Sequence, residues 1–112
     1  MPQATREKQV IFYQDDSGNE PFKNWINSLR NPATRRRVLQ RIFRMQSGNY
    51  GDNKFLKDGV FELRLKFGAG YRVYFGEDGE TIVVLLCGGD KSTQKKDIET
   101  AKRYWQDYLS NE

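Results

Sequence analysis

The stretch Phe61–Cys87, FELRLKFGAGYRVYFGEDGETIVVLLC, decides the fold. Its first part alternates strictly. Phe61, Leu63, Leu65 and Phe67 point one way, and Glu62, Arg64 and Lys66 point the other, which is the period of a half-buried strand. Gly68–Gly70 reads as a turn. Tyr71–Phe75 reads as the return strand, with Arg72 and Tyr74 opposite Val73 and Phe75. Gly76–Glu80 reads as a second hairpin turn. Thr81–Cys87 is apolar throughout, so it predicts a strand covered on both faces. Turns this short hold no crossover, so the three strands form an antiparallel meander.

Upstream, Gln9–Gln14 has strand composition and follows a polar start, Met1–Lys8, expected to fray. The run DDSGNEP breaks the strand, and Asn19 or Glu20 begins a helix with Pro21 in its first turn. Phe22, Trp25, Ile26 and Leu29 then recur at helical spacing. Arg30–Pro32 interrupts, because a residue before proline avoids helical geometry. A second helix runs from near Pro32 to about Gln46. Its apolar set is Val38, Leu39, Ile42, Phe43 and Met45, and five arginines (Arg35, Arg36, Arg37, Arg41, Arg44) occupy its other faces. The tight connection suggests a helical hairpin. Ser47–Asn53 reads as a loop. After the meander, Ile98, Ala101, Trp105, Tyr108 and Leu109 mark a last helix, with Thr93 as its cap. The order β-α-α-β-β-β-α describes an α+β fold: a small antiparallel sheet with an N-terminal helical hairpin and a C-terminal helix, residues 1–112 forming one domain.

The 112 residues carry 30% charged and 37% hydrophobic side chains, the balance of a globular chain. The net charge of +4 and pI near 9.3 tilt it toward anionic partners. The single cysteine, Cys87, excludes an internal disulfide and reads as a core thiol in a reducing cytoplasm. Histidine is absent, which removes Ser-His and Cys-His nucleophile pairs, histidine metal sites and the usual general base. The sequence therefore implies no metal and no cofactor. It contains no apolar stretch long enough to span a membrane and no signal-peptide core.

The chemistry concentrates where the last strand ends. Leu85–Ile98, LLCGGDKSTQKKDI, collects Lys91, Lys95 and Lys96 beside the strand face that carries Arg64, Lys66 and Arg72. Together these could border one basic concavity for a phosphate backbone, with Tyr71 and Tyr74 as rings for base stacking. The plainer reading of each charge is a solvated face, for the helix-two arginines above all, and for Lys95, Lys96 and Lys102. Tyr71, Tyr104 and Trp105 read more readily as core or partner-facing aromatics than as stacking platforms. Asp90 either orients a basic group or serves the turn after Gly88–Gly89.

Three segments taken together, PFKNWINSLRNPATRRRVLQRI, GNYGDNKFLKDGVFELRLKFGAGYRVYF and VVLLCGGDKSTQKKDIETAKRYWQDY, resemble the RelE/ParE superfamily of toxins from bacterial toxin–antitoxin modules. The resemblance runs from about Val10 to Tyr108 and is nearest to the HigB-like branch, the addiction module killer proteins. It implies a curved antiparallel sheet flanked by helices. It also implies a cytoplasmic type II toxin held inactive by a cognate helix-turn-helix antitoxin. The best-understood branch consists of mRNA interferases, metal-independent endoribonucleases that inhibit translation by cutting mRNA on the ribosome. There the 2′-hydroxyl attacks the neighbouring phosphate, so a proton must leave, extra charge must be stabilised and the 5′-oxygen must depart. By resemblance, Arg72 in the GYR tripeptide stabilises the transition state, while Arg64 and Lys91 contact the phosphate. Lys66, Tyr74, Asp90, Lys95 and Lys96 complete the RNA-contacting surface. The match departs from the RelE pattern in three ways: Glu62 stands where that toxin has a further lysine, Lys91 replaces an arginine, and no tyrosine aligns with its catalytic tyrosine. Lys66 and Lys91 are the candidates for the base. The superfamily implies two other readings as well, a ParE-like inhibitor of DNA gyrase without nuclease chemistry and an inactive remnant that only binds its antitoxin.

Overall fold

A computed structural model describes residues 7–111; the expectation for Met1–Arg6 lies outside the described residues. The elements are β1 (Gln9–Phe12), α1 (Pro21–Ser28), α2 (Pro32–Met45), β2 (Asn53–Phe55), β3 (Val60–Leu65), β4 (Tyr71–Asp78), β5 (Ile82–Gly89), a 3-10 turn (Lys91–Thr93) and α3 (Gln94–Ser110). Pro21 and Pro32 sit in the first turns of α1 and α2, and the Asn31 side chain accepts from the Ala33 N–H to cap α2.

The fold is α+β, as expected, but the sheet is mixed. Its order is β1-β5-β4-β3-β2. The meander β3-β4-β5 is antiparallel, whereas β1 runs parallel to β5, with Gln9 opposite Ile82 and Phe12 opposite Leu85. Short turns dictated the direction of the meander strands. The long path from β1 through α1 and α2 imposed no such constraint. A second difference is β2, three exposed residues paired antiparallel to β3. It is too short to show alternation in the sequence. The second hairpin turn is also tighter than expected, because β4 continues through Gly76 to Asp78.

Helices cover both faces of the sheet. On one face, Phe22, Ile26, Val38, Ile42 and Met45 of α1 and α2 pack on Leu63, Leu65, Val73, Phe75, Val83 and Leu85. On the other, Ala101 and Trp105 of α3 pack on Val60, Tyr74, Val84, Leu86 and Cys87. This explains the unbroken apolar run of β5. A bulge refines it: Tyr74 pairs with Cys87 and Phe75 with Leu85, so Leu86 is the extra residue. Leu86 and Cys87 therefore both face α3. Beyond them, a Cβ on Gly88 would meet the Trp25 ring at 2.2 Å, and one on Gly89 would meet the Asp97 carboxylate at 1.8 Å. Both glycines are required by close approach from opposite sides. Cys87 is buried as expected, and burial, with Asp97 beside it, pushes its thiol up to about 12. Among the described residues, no helix is long and apolar enough to cross a membrane.

Candidate functional site

Register brings the charged residues of the meander together. Glu62 lies opposite Tyr74, and Arg64 lies opposite Arg72. Tyr74 and Arg72 are in turn opposite Cys87 and Gly89. Residues paired across antiparallel strands project to the same side, here the side covered by α3.

Glu62 is the centre of this arrangement. The sequence pattern placed it on a solvated face, yet it is completely buried. α3 accounts for the difference, since its first turn brings Gln94 over the strand. Gln94 Nε2 donates to Glu62 Oε2 at 2.8 Å, and the Tyr74 hydroxyl donates to the same oxygen at 3.2 Å. Arg64 Nε donates to Oε1 at 3.0 Å. Arg72 Nε stands 3.6 Å from Oε2, close enough for an ion pair but without a hydrogen bond. A buried carboxylate is stable only when its lone pairs are satisfied and its charge is offset. Two guanidinium groups, an amide and a phenol meet that demand.

The converse also holds. Two arginines side by side across a strand pair repel each other, and Glu62 between them offsets that repulsion. The carboxylate engages both through Nε. The side chains of Arg64 and Arg72 keep 34% and 16% of their exposure, so part of each fork stays in reach of an outside anion. Arg72 Nη1 also donates to the Gly70 carbonyl at 2.7 Å, which fixes the guanidinium plane. A planar fork held this way presents paired N–H donors to a phosphate.

The Gly68–Gly70 turn brings Lys91 to this cluster. The Lys91 N–H points at the Ala69 carbonyl, and its Cβ lies 3.4 Å from where a Gly70 Cβ would stand, as does Arg72 Nη1. Arg72 thus stands between Arg64, its partner across the strand pair, and Lys91, which the Gly70 turn brings close.

The remaining candidates play other parts. Tyr74 is fully buried, so its ring offers no stacking face; burial, reinforced by the Glu62 charge, raises its phenol well above the ordinary tyrosine value. Tyr71 packs against Trp25 and Phe67 on the α1–α2 side. Asp90 serves the turn: its carboxylate accepts from the Ser92 N–H at 2.8 Å and the Ser92 hydroxyl at 2.6 Å, which holds its pKa below the usual carboxylate range. Lys95 and Lys96 are exposed on the first turns of α3, bordering a shallow hollow with Ser92, Thr93 and Glu99. Lys66 lies past the end of β3, 3.5 Å from Asp52, in a cleft shared with Arg37, Arg41 and Arg44. Arg41 is structural there. It donates to the carbonyls of Arg64 and Tyr50 at 2.9 Å each and of Asp52 at 3.3 Å. No group of three or more candidate metal ligands occurs among the described residues.

The sequence reading did not find Glu62 and Gln94 as part of the site. A signal was present: a β5 buried on both faces requires a helix over its neighbours too, and that helix must cover Glu62.

Comparison with known proteins identifies a family. A Haemophilus influenzae protein described only as uncharacterised is 51% identical over 81 residues, which cover 72% of this chain and 82% of that protein. Residues 24–106 match the model of the phage-derived Gp49-like family (DUF891). The matched span contains α2, the whole sheet except β1, the arginine pair and most of α3. The chain therefore belongs to the Gp49-like family of phage-derived proteins, a family associated with toxin–antitoxin modules.

Proposed function

We propose that the protein is the toxin of a type II toxin–antitoxin module, a HigB-like mRNA endoribonuclease that acts on the ribosome in the cytoplasm. The cognate antitoxin in this reading is a small helix-turn-helix protein. The observation that carries the reading is the arginine pair, Arg64 opposite Arg72, tied from behind by buried Glu62 and flanked by Lys91 at the Gly70 turn. A scissile phosphate placed across the two forks gains preorganised donors where charge develops. Arg72, the more buried and better anchored, stabilises the pentacovalent phosphate. Arg64 and Lys91 hold its non-bridging oxygens. Glu62 is a positioning residue rather than a base, because it is enclosed, accepts from Arg64, Tyr74 and Gln94, and is ion-paired with Arg72. The 2′-hydroxyl gives its proton to water as it attacks the phosphate, and Lys91, exposed at the rim, is the ammonium placed to protonate the leaving 5′-oxygen.

A second reading is favoured by one observation. The Tyr74 hydroxyl, beside the arginines, is spent on Glu62, and the chain has no histidine. That favours a ParE-like inhibitor of DNA gyrase that works by binding alone. The two readings separate in a cell-free translation reaction with mRNA 5′ ends mapped by primer extension. Nuclease chemistry predicts translation-dependent cuts that fall by about a hundredfold or more in Arg72→Ala. Intact mRNA with continuing translation rejects it, and gyrase supercoiling is then the assay.

A further inference from the structure

The α2 helix presents more apolar surface than the core uses. Val38, Ile42 and Met45 are buried, but Leu39 and Phe43, expected to share that face, are 44% and 71% exposed. They lie four residues apart, so they form one stripe on the outward side. Arg36, Gln40 and Arg44 border the same hollow. Glu7 and Lys8 lie beyond Phe43 and add one charge of each sign. α2 itself contains no acidic residue.

We propose that this stripe docks an amphipathic helix of a partner protein, whose leucine-type side chains seat on Leu39 and Phe43 and whose flanking Asp and Glu meet Arg36 and Arg44. Charge selects this occupant. A second copy paired face to face would set the arginine rims against each other. A nucleic acid would satisfy the arginines and stack on the Phe43 ring, but it offers no apolar side chain to cover Leu39. An acidic helix satisfies both halves of the surface, the helix-in-groove mode with apolar anchors and a charged rim. The stripe lies across the sheet from Arg64 and Arg72, because α2 packs on the Leu63–Leu65–Val73 face and those arginines project toward α3. The inference is thus independent of the nuclease reading, and such a partner could bind while the arginine pair stays open.

The test is a titration of the isotope-labelled full chain with a synthetic helical peptide bearing leucines at three- and four-residue spacing and flanking glutamates, followed by amide shifts. A matched peptide with lysines in place of the glutamates is the control. The expected result is perturbation centred on Arg36–Ser47, with affinity at least about tenfold weaker for the lysine peptide, for Phe43→Ser and, separately, for Leu39→Ser. Added salt should weaken binding further. Translation-dependent cleavage, if present, should be unchanged in Phe43→Ser. The proposal is overturned by equal binding of both peptides or by shifts confined to the Arg72 side. Sedimentation showing self-association that Phe43→Ser abolishes, or binding to phosphatidylserine vesicles in place of the acidic peptide, would also overturn it.

Discussion

Glu62 shows how a single buried residue can tie two strands and a helix together. Its carboxylate is enclosed, and it touches Arg64, Arg72, Tyr74 and Gln94. Truncation would leave two partly buried guanidinium groups facing each other. Glu62→Ala is therefore expected to lower unfolding free energy by roughly 3 kcal/mol in urea denaturation. Glu62→Gln keeps the shape and loses the charge, so it should cost less while loosening the arginines. A loss below about 1 kcal/mol in Glu62→Ala would mean that the arginines do not need the carboxylate. The proposal of Arg72 and Lys91 as site residues came from their neighbours in the sequence, and the fold brings the Gly68–Gly70 turn against Lys91 and Arg72. The role of Glu62 was not legible there, because an acid between Phe61 and Leu63 in an alternating strand looks solvated until something covers that face.

At the scale of elements, β5 is the most constrained. It touches α1 on one side and α3 on the other, and Gly88 and Gly89 at its end are where both approach most closely. Gly88→Ala would drive a methyl into Trp25, whose ring is already packed with Phe22 and Tyr71. The expected cost is about 2 kcal/mol, read as a lower denaturation midpoint with an unchanged m-value. An unchanged midpoint would show that Trp25 moves aside freely. Helical and strand periods in the sequence located α1, α2, the meander and α3 to within a few residues. The same reasoning overreached on α2. Five apolar positions make a wide arc, and nothing in the spacing says that the core stops at Val38, Ile42 and Met45.

Across the whole molecule, phenol–carboxylate pairs join distant segments. Tyr13 donates to Asp107 at 2.5 Å, Tyr50 to Glu77 at 2.6 Å and Tyr74 to Glu62 at 3.2 Å. Burial first, and then each carboxylate, raises all three phenols above their ordinary value near 10. A phenol raised in the folded state holds its proton more tightly than in the unfolded chain. Its contribution is complete below the unfolded value and is lost as pH rises toward the folded one. Stability should therefore hold up to about pH 10 and then decline steeply. Tyr50→Phe should make that decline shallower. A urea midpoint that stays flat above about pH 10 would remove these pairs from the account.

By itself the sequence determined the order of the helices and of every strand but β2, the antiparallel meander, the two-sided burial of β5 and the basic character of its far end. Those properties follow from period, turn length and residue type, all of which act over a few neighbours. Only the tertiary structure decided that β1 runs parallel to β5, that a bulge turns both Leu86 and Cys87 toward α3, and that Glu62 is buried while Phe43 is not. Each of these depends on which surface arrives from elsewhere in the chain. Burial belongs to a pair of surfaces, and one strand or helix specifies only half of it.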